Sequence, residues 1–259
     1  MNVNLKFTTM KKLTLTVLLV VLIGLTANAQ FKFGVQAGLN GTSVTTHYGK
    51  DIDRDSKYPV KTKFGFNFGV VAEYEFNDNL GLQSGLLYTQ KGYQIDWDQF
   101  LKDNNMEGKV DGYMYYKYNY LQLPIHLYYK INDFRIMAGP YLAYGIGGKA
   151  KIDATYRLDG ESDSLRDETD LTAVSGEVSA RDFVTEDNDA LFYKTYNAFD
   201  IGLDFGVAYQ YQQFMLKAQY SIGFNNLTPK IKDYPDFDPN DFSFKNKGFN
   251  ISVVYMFNE

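Results

Sequence analysis

The chain has 259 residues, a net charge of -5 and no cysteine. The missing cysteine excludes a disulfide framework, a thiolate metal site and lipid attachment through a cysteine, and the mild acidity argues against a nucleic-acid partner, which would need a basic patch. Tyr 22, Phe 20 and Gly 22 make the chain rich in aromatics and glycine, and a mean hydropathy of -0.33 suits a membrane protein only if alternate residues, not whole segments, face lipid.

Residues 1–29 read as an export signal. Lys11 and Lys12 form a basic start, and Leu13 to Leu25 form an apolar run shorter than the roughly 20 residues a spanning helix needs. Ala27-Asn28-Ala29 is an A-x-A cleavage site, so Gln30 is the expected mature N-terminus. The alternative is an uncleaved anchor, against which the short run and the small residues after it both speak. Residues 30–259, about 230 residues, are expected to form one β domain.

Eight stretches alternate with a period of two, which places one residue set on each face of a strand. The first is about Phe31 to Asn40, with Phe33, Val35, Ala37 and Leu39 on one face. The second, Phe64 to Phe76, carries Phe64, Phe66, Phe68, Val70, Ala72, Tyr74 and Phe76 outward. The third and fourth are about Leu80 to Gln90 and Tyr116 to Lys130, the latter with Leu121, Leu123, Ile125, Leu127 and Tyr129 outward. Phe134 to Ile146 and Phe199 to Gln210 follow, then Phe214 to Phe224 and Phe249 to Phe257. Asn77-Asp78-Asn79, Ile131-Asn132-Asp133 and Gln212-Gln213 are short turns. The connections after the odd strands are long: Gly41 to Lys63, Lys91 to Tyr115, Gly147 to Asn197 and Asn225 to Lys247. Strict alternation of short and long connections predicts an eight-stranded antiparallel transmembrane β-barrel, with short periplasmic turns and long outer loops. A soluble β-sandwich with one-ended loops is the competing architecture. The third loop is polar and acidic from Asp153 through Asp189, with some alternation at Lys151 to Leu158 and Leu171 to Val178; two readings stand, hairpins extended beyond the membrane or a mobile loop, and in either case the segment is expected to be dispensable for the barrel.

The chain resembles the PorT-like outer-membrane β-barrel domain family common in Bacteroidetes. The resemblance rests on Ala29-Gln30, Tyr120-Leu121-Gln122-Leu123-Pro124, Gly139-Pro140-Tyr141 and Phe199-Asp200-Ile201-Gly202. It rests further on Gln219-Tyr220-Ser221-Ile222-Gly223 with Asn225-Asn226-Leu227. It implies an eight-stranded barrel in the cell outer membrane and says little about activity, because the family is functionally mixed. The expected partners are outer-membrane lipid, the barrel-assembly machinery and an outer protein or glycan ligand. The expected role is structural or interactive, through the outer loops. The alternatives are a secretion- or assembly-linked component and a narrow channel for small solutes.

The inward residue set collects charges of both signs: Lys32, Glu73, Glu75, Arg135, Asp200, Asp204 and Lys217. Buried charges left unpaired are very costly, so these are expected to join in a polar network. The functional alternative is a narrow polar path or a small-ligand site. Side chains nearly fill the interior of an eight-stranded barrel, which argues against a wide pore. His47 and His126 are the only histidines, and neither sits in a metal-binding spacing. No nucleophile motif accompanies His126, so neither an enzyme nor a cofactor is expected. Asp233, Asp236, Asp238 and Asp241 form a weak calcium candidate. They lack the glycine and distal glutamate of an EF-hand loop, and a solvated acidic loop is the plainer reading.

Overall fold

A computed structural model describes residues 31–48, 59–103, 105, 107–158, 161–179, 193–232 and 242–257. Residues 1–29, expected from the sequence to be an export signal, lie outside the described residues.

Eight long strands close into a ring. They are β1 (Phe31–Tyr48), β2 (Val60–Glu75), β3 (Leu80–Ile95), β4 (Lys109–Ile131), β5 (Phe134–Leu158), β9 (Phe199–Tyr211), β10 (Phe214–Gly223) and β12 (Phe242–Met256). Each is antiparallel to the next, and β1 closes on β12 with Leu39 opposite Ile251. Closure leaves no unpaired edge along the ring, so the backbone is satisfied without water. The tight turns are built by residues that tolerate positive φ, Asn132 at 54° and Gln212 at 52°. In the first turn Asn77 Oδ1 accepts from the amides of Asn79 and Leu80.

An apolar belt runs around the outside. On β12 it extends from Phe249 to Phe257, with Ile251, Val253 and Tyr255 between, all turned outward. That span matches the roughly 9–11 residues of a membrane-crossing strand. Aromatic pairs mark both rims. Phe134–Tyr209 (4.9 Å) and Phe214–Tyr255 (5.1 Å) sit at the short-turn end, with Tyr144–Phe199 (5.3 Å) and Phe64–Phe249 (6.3 Å) at the loop end.

The strands overrun the belt, and here the structure corrects the sequence boundaries. β4 has 23 residues and β5 has 25. Past Asn119 on β4 and Gly147 on β5 the apolar residues move from the outer face to the inner one; β4 keeps its even-numbered residues inward throughout, while on β5 the inward positions shift by one. Below that level Leu121, Leu123 and Leu142 face out. Above it Met114, Tyr116, Tyr118, Ala150 and Ile152 face in, around a buried apolar core that also takes Tyr93, Leu171 and Tyr196. The change coincides with a bulge: Asn119 opposes Gly147 while Tyr120 opposes Gly145, so Ile146 is the extra residue. Gly147 has φ of 123°, which a side chain would oppose.

Above the bulge β5 leaves β9 and pairs instead with β6 (Glu161–Val174), from Gly148 opposite Leu171 up to Leu158 opposite Glu161. The third long connection therefore holds an ordered hairpin that extends beyond the belt, the first of the two readings the alternation offered, with its return strand at Glu161–Val174. β6 then runs parallel to β8 (Thr195–Asn197), and β7 (Glu177–Val178) pairs in parallel with β11 (Lys230–Ile231). The second connection holds a short helix, α1 (Trp97–Asp103), which buries Leu101. The first connection is shorter than expected, because β1 continues to Tyr48 and carries His47.

Candidate functional site

The lumen is layered, and alternation along the strands builds each layer from inward side chains. Nearest the short turns, Lys32 Nζ meets Glu75 Oε1 at 3.1 Å. Just inside, Arg135 Nη1 donates to Glu73 Oε1 at 2.8 Å, and Gln83 Nε2 donates to the same oxygen at 2.7 Å. Arg135 also donates to Gln210 and lies 4.6 Å over the Tyr128 ring.

In the middle layer Lys217 Nζ donates to Gln36 Oε1 at 2.6 Å and to Gln83 Oε1 at 3.1 Å. Among the described residues no carboxylate comes within ion-pair distance of it. Two amides take that place, with Gln36 passing the chain on to Asn67 and Asn67 to Asn40. On the facing wall His126 Nε2 lies 2.9 Å from Asp204 Oδ2, and Ser221 Oγ donates to Asp204 Oδ1 at 2.6 Å. Asp204 thus sits between the serine and the histidine. A nucleophilic triad places the histidine between, so this arrangement cannot activate Ser221 in that way.

The upper layer centres on Asp200. Lys91 Nζ and Asn246 Nδ2 donate to its Oδ2 at 2.8 and 3.0 Å, and the Tyr141 hydroxyl lies 3.3 Å from both carboxylate oxygens. Lys91 also lies 4.0 Å over the Tyr141 ring. Between the middle and upper layers is a cavity of about 40 Å³, room for a few water molecules. Gln122 Oε1 and Asn246 Oδ1, each without a hydrogen-bond partner among the described residues, belong to residues lining it. Above Asp200 the lumen is shut by packed tyrosines: Tyr93 stacks on Tyr116 with ring centroids 5.1 Å apart, and Tyr196 lies tilted against Tyr118 at 4.7 Å. Phe244 stacks on Tyr93 at 5.9 Å.

All seven inward charges singled out in the sequence line this lumen, but they do not pair only with one another. Lys91, the partner of Asp200, lies one residue beyond the end that the sequence sets for the third strand, Gln90. One more step of the Leu87, Thr89 alternation would have found it. Two small glycines make the Asp200 layer possible. A Cβ on Gly202 would stand 2.6 Å from the Tyr141 ring, and one on Gly223 would stand 2.9 Å from Asp200 Oδ1. The Tyr120 to Pro124, Gly139 to Tyr141 and Phe199 to Gly202 motifs therefore meet in the packing of one interior layer.

His47 lies exposed on the wall of β1. Among the described residues no group of three or more His, Asp or Glu gathers to hold a metal. Asp233, Asp236, Asp238 and Asp241 lie outside the described residues.

The second surface of interest stands above the belt on the outside. The β5–β6 hairpin is bound by charge: Lys149 with Glu168 and Asp170, and Arg166 Nε with Asp153 Oδ1 at 3.1 Å. The hydrogen bond from Lys149 holds the Glu168 carboxyl below the usual carboxylate range. On β4 the hydrogen bond from Lys109, with Arg157 nearby, does the same for Asp111.

The sequence model described as "Outer membrane protein beta-barrel domain" matches residues 26–228. Similar solved structures include Ail, the attachment invasion locus protein of Yersinia pestis, at 14% identity and TM-score 0.37, covering 88% of this chain and 99% of that one. They include Neisserial surface protein A, at 13% and TM-score 0.34, covering 87% and 96%. OprG from Pseudomonas aeruginosa is similar at 11% and TM-score 0.31, covering 88% and 95%. No curated protein sequence matches the chain.

Proposed function

Given that the chain belongs to the outer membrane protein β-barrel domain family, we propose that this outer-membrane protein is a sealed scaffold, not a conduit and not an enzyme. Its role is structural or interactive and is carried by the part that stands outside the membrane. One observation carries this reading: among the described residues the lumen is filled by hydrogen-bonded polar side chains and packed tyrosines, and the cavities left there are water-sized, about 40 Å³ between the layers and about 30 Å³ among the tyrosines. A path for solutes would have to break several buried hydrogen bonds together. The polar outer hairpin, by contrast, is fully presented, and loops on a rigid scaffold are where binding resides. A protein or glycan ligand there, with insertion by the barrel-assembly machinery, completes the proposal.

The test is electrical and then biochemical. Purified protein in planar bilayers should show no steady conductance, while protein displayed on cells should lose ligand capture when the outer hairpin is shortened. A large, stable, ohmic step would instead establish the narrow-channel reading. The PorT-like resemblance supports a secretion- or assembly-linked role as the alternative. The motifs behind it pack the interior in this chain, so they weigh lightly. Loss of secreted proteins on gene deletion, with the surface otherwise intact, would favour it.

A further inference from the structure

Above the bulge β4, β5 and β6 form a small sheet whose two faces differ. On the outward face every carboxylate of these strands has a cation. Asp111 has Lys109 and Arg157, Asp153 has Arg166, and Lys149 serves both Glu168 and Asp170. The inner face of β6 carries Glu161, Asp163 and Asp167, in register with Leu158, Tyr156 and Ile152 of β5. Among the described residues no cation comes within ion-pair distance of these three. Leu165 lies between Asp163 and Asp167 on the same face, in register with Ala154.

The apolar side chains beside these acids are open. Tyr156, Leu158 and Leu165 are 37%, 37% and 42% exposed. A hollow of about 450 Å³ lies over Tyr156, Leu158, Glu161 and Asp163. Lipid does not cover it. Tyr156 stands opposite Val110, eleven residues along β4 from Leu121, the last apolar residue turned to the membrane. At about 3.4 Å per residue and a tilt near 40°, that is roughly 29 Å above the hydrocarbon.

β6 is also an open edge. β5 pairs with one side of it, while β8 joins the other side only from Thr172. Two amides of the free side are held by neighbouring side chains. The Ser164 amide donates to Asp163 Oδ1 and the Glu168 amide to Asp167 Oδ1, each at 2.8 Å. Those carboxylates stand where the carbonyls of an added strand would come. A free edge accepts such a strand, and charge on it selects which one. With a period of two, a strand laid along β6 sets alternate side chains beside Asp163, Leu165 and Asp167. Cation, apolar, cation is the matching order. A second copy of β6 does not match, because it brings Glu161, Asp163, Asp167, Glu168 and Asp170 against Arg166 alone.

We infer that the free side of β6 takes an extended basic segment of a partner protein as an added strand. Cations of that segment meet Asp163 and Asp167, and an apolar residue between them rests on Leu165. The amides of Ser164 and Glu168 then pair with its carbonyls. The inference rests on the reading that the outer hairpin carries binding, and it names the class of partner.

Full-length protein in phosphatidylcholine nanodiscs is titrated with short fluorescent peptides, and anisotropy is read against empty discs. A peptide with arginine, leucine and arginine at alternate positions, separated by serines, should bind. The same peptide with glutamate for arginine should not, and a backbone N-methylated form should bind at least about tenfold more weakly. Asp163→Asn with Asp167→Asn keeps an oxygen for each amide and should weaken binding about tenfold, the scale of two exposed ion pairs. Leu165→Ser should weaken it about fivefold. Glu168→Gln with Asp170→Asn, the same change of charge on the outward face, should change it by less than about twofold. Gel mobility before and after heating confirms that each variant is folded. No binding of the arginine–leucine peptide, or equal loss in the inner-face and outward-face variants, overturns the inference. Binding of heparin that the inner-face variant abolishes overturns it in favour of a sulfated glycan. Dimers of the free protein that Leu165→Ser dissolves overturn it in favour of a second copy. Ligand capture on cells separates the two claims. If shortening the hairpin abolishes capture while Asp163→Asn with Asp167→Asn does not, the inference fails and the hairpin reading stands; if shortening leaves capture intact, both fail.

Discussion

Lys91 and Asp200 meet at 2.8 Å across the lumen, from strands that are not neighbours in the ring. Both side chains are closed to solvent. The pair therefore ties opposite walls of the barrel together, beneath the tyrosines that shut it.

Removing one partner leaves the other as a buried charge. Lys91→Ala should destabilise the barrel by about 3–5 kcal/mol in urea unfolding from lipid vesicles. Asp200→Asn in the same chain should restore much of that loss, because Asn246 and Tyr141 remain as partners for the amide. A single variant indistinguishable from wild type would mean that the pair contributes nothing net.

Val253 lies at the middle of the apolar belt, between Ala37 and Leu216 on the neighbouring strands. Val253→Arg should cost about 2–4 kcal/mol, and the same change at a rim position should cost about 1 or less. Equal costs at both depths would place the membrane elsewhere on the chain.

The outer hairpin can be shortened without touching the core. Thr155 and Ser164 are a registered pair, as are Ala154 and Leu165. Deleting Thr155 to Ser164 and joining the strands through Asn-Gly should leave a folded, heat-modifiable barrel, because loop closure depends only weakly on length. Leu171→Asp should instead loosen the outer half, since Leu171 is buried beneath the hairpin. Protease resistance of the two variants in detergent separates these outcomes, and failure of the deletion to fold would make the hairpin part of the scaffold.

The hairpin should respond to acid. Glu168 and Asp111 have folded values held below their usual ones, chiefly by hydrogen bonds from Lys149 and Lys109. Their contribution is complete above the ordinary carboxylate range and is lost as pH falls through the lowered values. The protection factors of β6 amides, exchange corrected for its intrinsic pH dependence, should therefore be flat from pH 8 to about 5 and should fall below about 4. The pairs are solvent-exposed, so the effect should be small and weakened by salt. A transition near pH 6 would point to a different titrating group.

The ring itself was legible because each spanning strand shows lipid one apolar residue set. Leu121, Leu123 and Leu127 on β4 give that signal without help from any other strand. Beyond Asn119 the same strand continues with Tyr116 and Met114 turned inward, so a rule that seeks apolar residues outside stops too early. β6 was hidden for another reason. Glu161 to Asp170 contains one large apolar residue, Leu165, and is held by its pairing with β5 and by cross-strand charges. Nothing in its own composition announces a strand. The inward charges could be seen, but not their partners, because Lys91 and Asp200 are brought together only by closure of the ring.

The change of face at Gly147 also fixes how deep the molecule floats. Sinking by two residues would carry Lys117 and Lys149 toward hydrocarbon and push Phe134 and Phe214 out into water at the far side. Rising by two would lift Leu121 and Tyr144 clear of the lipid. The wall thus behaves as a hull with a painted waterline: one draught satisfies both solvents, and a membrane of different thickness would have to deform to meet it.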